Sequence, residues 1–184
     1  LAENTRLEAL NDGNGVRRSR GGGDFTIDVG GTQVNVDLSG VLKTDTRLQQ
    51  LNHGAGVALG GVQIKTRDGA SFDVDLTGKR TVGEVKQAIE EASQDSTGTA
   101  RVSVVLSSSL IISDKTTPRD ADHPEKYPFS VTDVSGHAAR DLGIAGQADA
   151  DKLTGGSILT MDTVGDVLAA INYGAANYVA ADSD

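Results

Sequence analysis

The sequence predicts an α+β fold built from repeated units, each a β-hairpin followed by a short capped helix, packed as one or two small domains. Three observations carry that reading. Four stretches begin on threonine and continue with apolar residues at helical spacing. The segments between them alternate apolar and polar residues and are broken by Gly-Gly or Asp-Gly. Glycine is abundant, at 23, while proline appears only 3 times, so the chain turns often and mostly by glycine.

The four starts are "TRLEALN" at Thr5, "TRLQQLN" at Thr46, "TVGEVKQAIE" at Thr81 and "TVGDVLAAIN" at Thr163. Three residues after each threonine stands Glu8, Gln49, Glu84 or Asp166, which is the capping-box spacing. Asp166, with the shorter side chain, is expected to act mainly through the helix dipole. Behind the caps, Leu7 with Leu10, Leu48 with Leu51, Val82 with Val85 and Ile89, and Val164 with Val167, Leu168 and Ile171 form apolar faces. Asn11 and Gly13, Asn52 and Gly54, and Asn172 and Gly174 read as helix stops, because Asn and Gly tolerate the left-handed conformation. The copy at Thr81 continues as "EEAS" and is expected to run a turn longer.

Between the helices, "DFTIDVGGTQVNVDL" puts Phe25, Ile27 and Val29 on one face, then Val34, Val36 and Leu38 after Gly30-Gly31. "VQIKTRDGASFDVDL" puts Val62 and Ile64 before a turn at Asp68-Gly69, then Phe72, Val74 and Leu76. Both second strands end alike, in "VDLSG" and "VDLTG". Residues 1–97 therefore read as two tandem units, and residues 98–184 as a third, longer one. In the third, strands are expected at Val102–Leu106, Leu110–Ser113, Phe129–Val134 and Gly155–Asp162, and a short helix over His137–Ile144 stopped at Gly143. Lys115–Pro128 holds all 3 prolines and reads as an exposed inserted loop. A boundary near Gly98 is expected, with one shared core as the alternative.

A formal charge of -9 argues against nucleic acid as a partner. The basic cluster Arg17, Arg18 and Arg20 reads as an exposed loop. With no cysteine, disulfides, thiol catalysis and cysteine-held metals drop out together. No stretch approaches the ~20 apolar residues of a membrane span. The chain opens at Leu1 with no charged-then-apolar leader, which reads as an excised piece of a longer protein.

Candidate chemistry fails residue by residue. His53, His123 and His137 share no metal-ligand spacing. "DADHPE" (Asp120–Glu125) has Pro124 and Glu125 where a calcium loop needs Asp or Asn and then Gly. "GKRT" (Gly78–Thr81) has Arg80 where a phosphate loop needs Ser or Thr. "GAGVALG" (Gly54–Gly60) follows a helix, whereas a dinucleotide loop follows a strand. Ser107–Ser109 lacks a nucleophile-elbow frame. Asp24, Asp28, Asp37, Asp73 and Asp75 fall on polar strand faces. No catalytic, cofactor-binding or metal-binding residue is assigned, and the chain is expected not to be an enzyme.

At the strand-to-helix joint, "VDLTGKRTVGEVKQAIE" (Val74–Glu90) and "MDTVGDVLAAIN" (Met161–Asn172) resemble the hook IN motif of flagellar hook-associated proteins. Thr163, Val164, Asp166, Val167, Ile171 and Asn172 carry the motif fully; at Thr81 its Asn is replaced by Glu90. The segment "ARVSVVLSSSLIISDKT…FSVTDVSGHAARDLGI" is similar to the stretch C-terminal to that motif in filament-cap proteins (hook-associated protein 2). The resemblance implies an extracellular, non-enzymatic protein of the bacterial flagellum, with flagellin or other hook and filament subunits as partners. It also implies self-association through terminal heptad helices that this chain lacks, so the chain would be a globular middle segment. A secreted adhesin or glycan-binding module on the same scaffold is the alternative. In either case, hairpin tips and the Lys115–Pro128 loop are expected to carry partner specificity.

Overall fold

The computed structural model describes residues 1–18 and 23–173. Its strands form where the alternation places them. β1 (Phe25–Val29) and β2 (Thr32–Val36) pair antiparallel across Gly30-Gly31, both at positive φ (61° and 89°), which a two-residue hairpin needs. β3 (Gly61–Lys65) and β4 (Ser71–Asp75) pair across a turn containing Gly69 at φ 87°. Val62, Ile64, Val74 and Leu76 are all buried. The expected facing of Val29 and Val34 lies outside the described side chains.

At Thr81 the capping box forms as the spacing predicts. Thr81 Oγ1 accepts from the Glu84 amide at 3.2 Å, and Glu84 Oε2 accepts from the Thr81 amide at 3.2 Å. α1 (Val82–Ala92) then buries Val82, Val85 and Ile89. β5 (Val102–Leu106), β6 (Leu110–Asp114), β7 (Phe129–Asp133) and α2 (Ala138–Asp141) come next, with Gly143 at φ 70° ending the helix. β8 (Gly146–Ala148), β9 (Lys152–Thr154) and α3 (Val164–Tyr173) are the last described elements. The strands make three antiparallel sheets, ordered β1-β2, β4-β3-β7-β8 and β5-β6-β9.

Several local expectations are corrected. The stretches at Thr5 and Thr46 are single 3-10 turns, Leu7–Ala9 and Leu48–Gln50, and not capped α-helices. Their threonines do not cap Glu8 or Gln49: Thr5 Oγ1 accepts from the Ala2 amide (3.1 Å), and Thr46 Oγ1 from the Lys43 amide (2.8 Å). The reason lies in the backbone: Arg6 and Arg47 are extended and bridge Thr163 and Thr81, so the Thr5 and Thr46 carbonyls, which an α-helix start would offer to Ala9 and Gln50, accept instead from the Val164 and Val82 amides. The left-handed conformation expected of the stops is present there: Asn11, Gly13, Asn52 and Gly54 sit at φ 55°, 82°, 54° and 84°.

Asp166 does more than favour a dipole. Its Oδ2 accepts from the Thr163 amide at 2.8 Å while its own amide donates to Thr163 Oγ1 at 3.3 Å, a complete reciprocal cap. α3 runs through Asn172 to Tyr173, so the stop expected at Asn172 is not made there; Gly174 lies outside the described residues. α1 is 11 residues against the 10 described for α3, so it is not a full turn longer. Of the face expected for α3, Val167 and Ile171 do pack against the core, but Leu168 does not. Ala169 and Ala170 are buried while Leu168 is 40% exposed, because the helix packs on the turns at Leu48–Gly54. Gly155–Asp162 is not a strand; β8 and β9, unread from sequence, pair with β7 and β6 instead. The segment lies outside the sheets, burying Ile158, Leu159 and Met161 and giving the Ile158 carbonyl to the Asn52 amide.

Two copies of one joint organise the molecule. In the first, the Leu48 amide donates to the Arg80 carbonyl (2.9 Å), Val82 to Thr46 (2.9 Å) and Gly83 to Thr44 (2.9 Å). In the second, Leu7 donates to Asp162 (2.8 Å), Val164 to Thr5 (2.9 Å) and Gly165 to Glu3 (2.7 Å). The pairing is nested. The inner unit is contiguous, from Thr46 through β3 and β4 to α1. The outer unit starts at Thr5, passes through β1 and β2 to "VDLSG", and resumes at "DTVGDV". Where the chain leaves the outer unit at Gly40 it also returns, since a Cβ on Gly40 would sit 3.2 Å from the Leu159 carbonyl oxygen. Everything between is inserted into the outer unit.

One cluster of buried side chains runs from Val36 through Ile64, Val85, Ile112 and Val131 to Ala170. It spans both sides of Gly98, and β3 pairs with β7 across that position. The alternative of a shared core therefore describes the packing.

Candidate interaction surface

Several of the residues weighed for chemistry have a structural task. His53 Nδ1 lies 2.7 Å from Asp166 Oδ1, and Thr160 Oγ1 approaches His53 at 3.2 Å. A hydroxyl, an imidazole and a buried carboxylate suggest a nucleophile triad, but the geometry is wrong. A triad needs carboxylate and hydroxyl on opposite ring nitrogens; here Thr160 lies beside the ring, 3.2 Å from Nδ1 and 3.4 Å from Nε2. The contact instead fastens the inner turn at His53 to the cap of the outer helix.

The other histidines stand apart. His123 Nδ1 meets Glu125 at 3.3 Å, and His137 precedes α2. Asp120 of the "DADHPE" stretch accepts from the His123 amide and from Lys126 Nζ (3.1 and 3.2 Å). The strand aspartates brace turns: Asp28 accepts from the Gly31 amide, Asp37 from Ser39 and Asp75 from Thr77. Of the basic cluster, Arg18 donates to the Met161 carbonyl at 2.6 Å, and Arg20 lies outside the described residues. Among the described residues no three His, Asp or Glu side chains converge to hold a metal.

Among the described residues, a groove of about 620 Å³ lies on the polar side of the four-stranded sheet. Lys65, Ser130, Thr132 and Gln147 form its floor, and Gly69 with Lys126 and Tyr127 its rim. The groove thus brings together one hairpin tip and the distal end of the Lys115–Pro128 loop, the two features expected to carry specificity. The loop is held from below. Arg67 donates through Nε to Asp114 (3.1 Å) and through Nη2 to the Thr116 carbonyl (3.3 Å), while its own carbonyl accepts from the Arg119 amide (2.8 Å). Asp114 is fully buried, and the Arg67 amide donates to its carboxylate as well, so this pair anchors rather than recognises. The Arg119 guanidinium then lies 5.0 Å over the Tyr127 ring and fixes the rim.

Alternation along β3 and β7 marks Lys65, Ser130 and Thr132 as a polar face. That β7 lies beside β3 has no local signature, so the groove floor could not be assembled from sequence. No helix among the described residues is long and apolar enough to cross a membrane. Comparison with protein-family models, with curated proteins and with solved structures found no match.

Proposed function

We propose that this chain is a structural segment of a bacterial flagellar hook-associated or filament-cap-like protein, acting outside the cell through contacts with flagellin or other hook and filament subunits, and that it is not an enzyme. The observation that carries the reading is how the motif's residues are used. Thr81 and Thr163 are caps, Val82 and Val85 are core, and Gly83 and Gly165 let an upstream segment dock on the helix start. A motif spent entirely on packing suits a protein whose work is assembly.

The groove beside Tyr127 is the recognition surface in this reading. Its aromatic rim over hydroxyl and amide side chains also suits a sugar ring, which is the observation favouring an adhesin or glycan-binding module as the second reading. Replacing Lys115–Pro128 with a Gly/Ser linker tests both. The expected result is an intact fold by circular dichroism, with binding to purified flagellin or hook-associated subunits weakened about tenfold or more in a surface-binding assay. Unchanged subunit binding by the loop variant overturns the role of the groove. A selective glycan-array response with no subunit binding replaces the first reading with the second.

A further inference from the structure

The nested joint makes the two units comparable strand by strand, and the comparison exposes an unfinished edge. "VDLTG" and "VDLSG" align Val74 with Val36, and register then aligns Val62, opposite Val74, with Phe25, opposite Val36. By the same count Ile64 corresponds to Ile27, and Lys65 to Asp28. In the inner unit β3 is sandwiched between β4 and β7, and α2 closes over it with Ala138, Ala139 and Leu142 fully buried. Val62 and Ile64 are accordingly 1% and 0% exposed. In the outer unit, among the described residues, only β2 pairs with β1. Phe25, the counterpart of buried Val62, is 39% exposed.

We propose that the edge of β1 that no described strand pairs is a docking site for an extended polypeptide strand of the β7–α2 kind, supplied by a partner and added antiparallel to β1. Sheet edges present a row of unpaired backbone groups that accept such a strand, while side-chain pockets choose which one. The inner unit states the pattern of the occupant. Val131 and Asp133 face Ile64 and Val62, so the strand places an apolar residue against Ile27. Ser130 faces Lys65, and the matching position on the occupant meets Asp28, favouring a hydroxyl or a basic side chain. A short helix of small residues comes after it, covering Phe25 as Ala138 and Ala139 help cover β3. This site is independent of the groove beside Tyr127.

The test adds a synthetic peptide of this chain's own Tyr127–Ile144 sequence to the intact protein. Amide exchange is followed by nuclear magnetic resonance. Exchange across β1 is expected to slow about tenfold at saturation, and Phe25→Glu is expected to abolish the effect with the β3–β7 pairs unchanged. A peptide carrying Ser130→Lys is expected to bind about two- to fivefold tighter, through the pair with Asp28. Peptide that leaves β1 exchange unaltered, or that protects β1 equally in the Phe25→Glu variant, overturns the proposal. So does sedimentation showing that the chain pairs β1 with β1 of a second copy in preference to the peptide.

Discussion

Asp166 is buried, yet four groups converge on its carboxylate: the amides of Asp162 and Thr163, the Thr163 hydroxyl and His53 Nδ1. Burial pushes its pKa up, but the hydrogen bonds outweigh burial and hold it below the ordinary aspartate value. A carboxyl depressed in the folded state stabilises above its unfolded pKa of about 3.9, and that contribution is lost as pH falls through the folded value. Asp166→Asn removes the charge and one acceptor oxygen facing these donors, and should therefore cost about 1–3 kcal/mol at neutral pH. The gap to the parent protein should close in urea titrations as pH falls below about 3.9 and through the lower folded value; a gap constant with pH would remove the ionic role. The sequence placed Asp166 at a cap and could not foresee its partner His53, because that contact joins the inner unit to the outer one. Glu90 is a similar case: it stands where the full motif has Asn and accepts from the Val104 amide at 2.9 Å, tying α1 to β5.

At the scale of the element, the joint depends on a glycine whose role is distance. A Cβ on Gly83 would lie 2.6 Å from the Thr44 carbonyl oxygen, and one on Gly165 would lie 3.2 Å from that of Glu3. Alanine gains about 1 kcal/mol over glycine in a helix, but here overpacking opposes it at about 1–3 kcal/mol. Gly83→Ala should thus lower stability by up to about 2 kcal/mol, and Gly165→Ala by less, measured by thermal unfolding. Equal effects at both positions would contradict the close-approach account. The α-helices at Thr81 and Thr163 were legible because cap and stripe lie within one stretch of chain. The turns at Thr5 and Thr46 carry the same letters and fold differently, since their backbone is committed to the helix starts at Thr163 and Thr81.

At the scale of the molecule, nesting makes the ends of the described chain interdependent. α3 is docked by residues 3–7, whereas α1 is docked by residues 44–48. Deleting Leu1–Leu7 should raise amide exchange throughout α3 while leaving α1 and the β3–β4 hairpin protected, since locally docked elements open independently. Uniform loss of protection across both helices would instead mean that the nested units unfold as one.

The sequence by itself determined the α+β class, the hairpins, the caps at Thr81 and Thr163 and the left-handed conformation at Asn11 and Asn52. Each is written in neighbouring residues, through spacing, backbone conformation or side-chain reach. Tertiary structure alone decided that the units nest, that β7 joins β3, that the threonine turns at Thr5 and Thr46 stay 3-10, and that Gly155–Asp162 lies outside the sheets, with Ile158 and Asp162 hydrogen-bonded to the turns at Asn52 and Leu7. In each of these the deciding hydrogen-bond partner comes from a distant part of the chain, and local sequence holds no record of which distant segment will supply it.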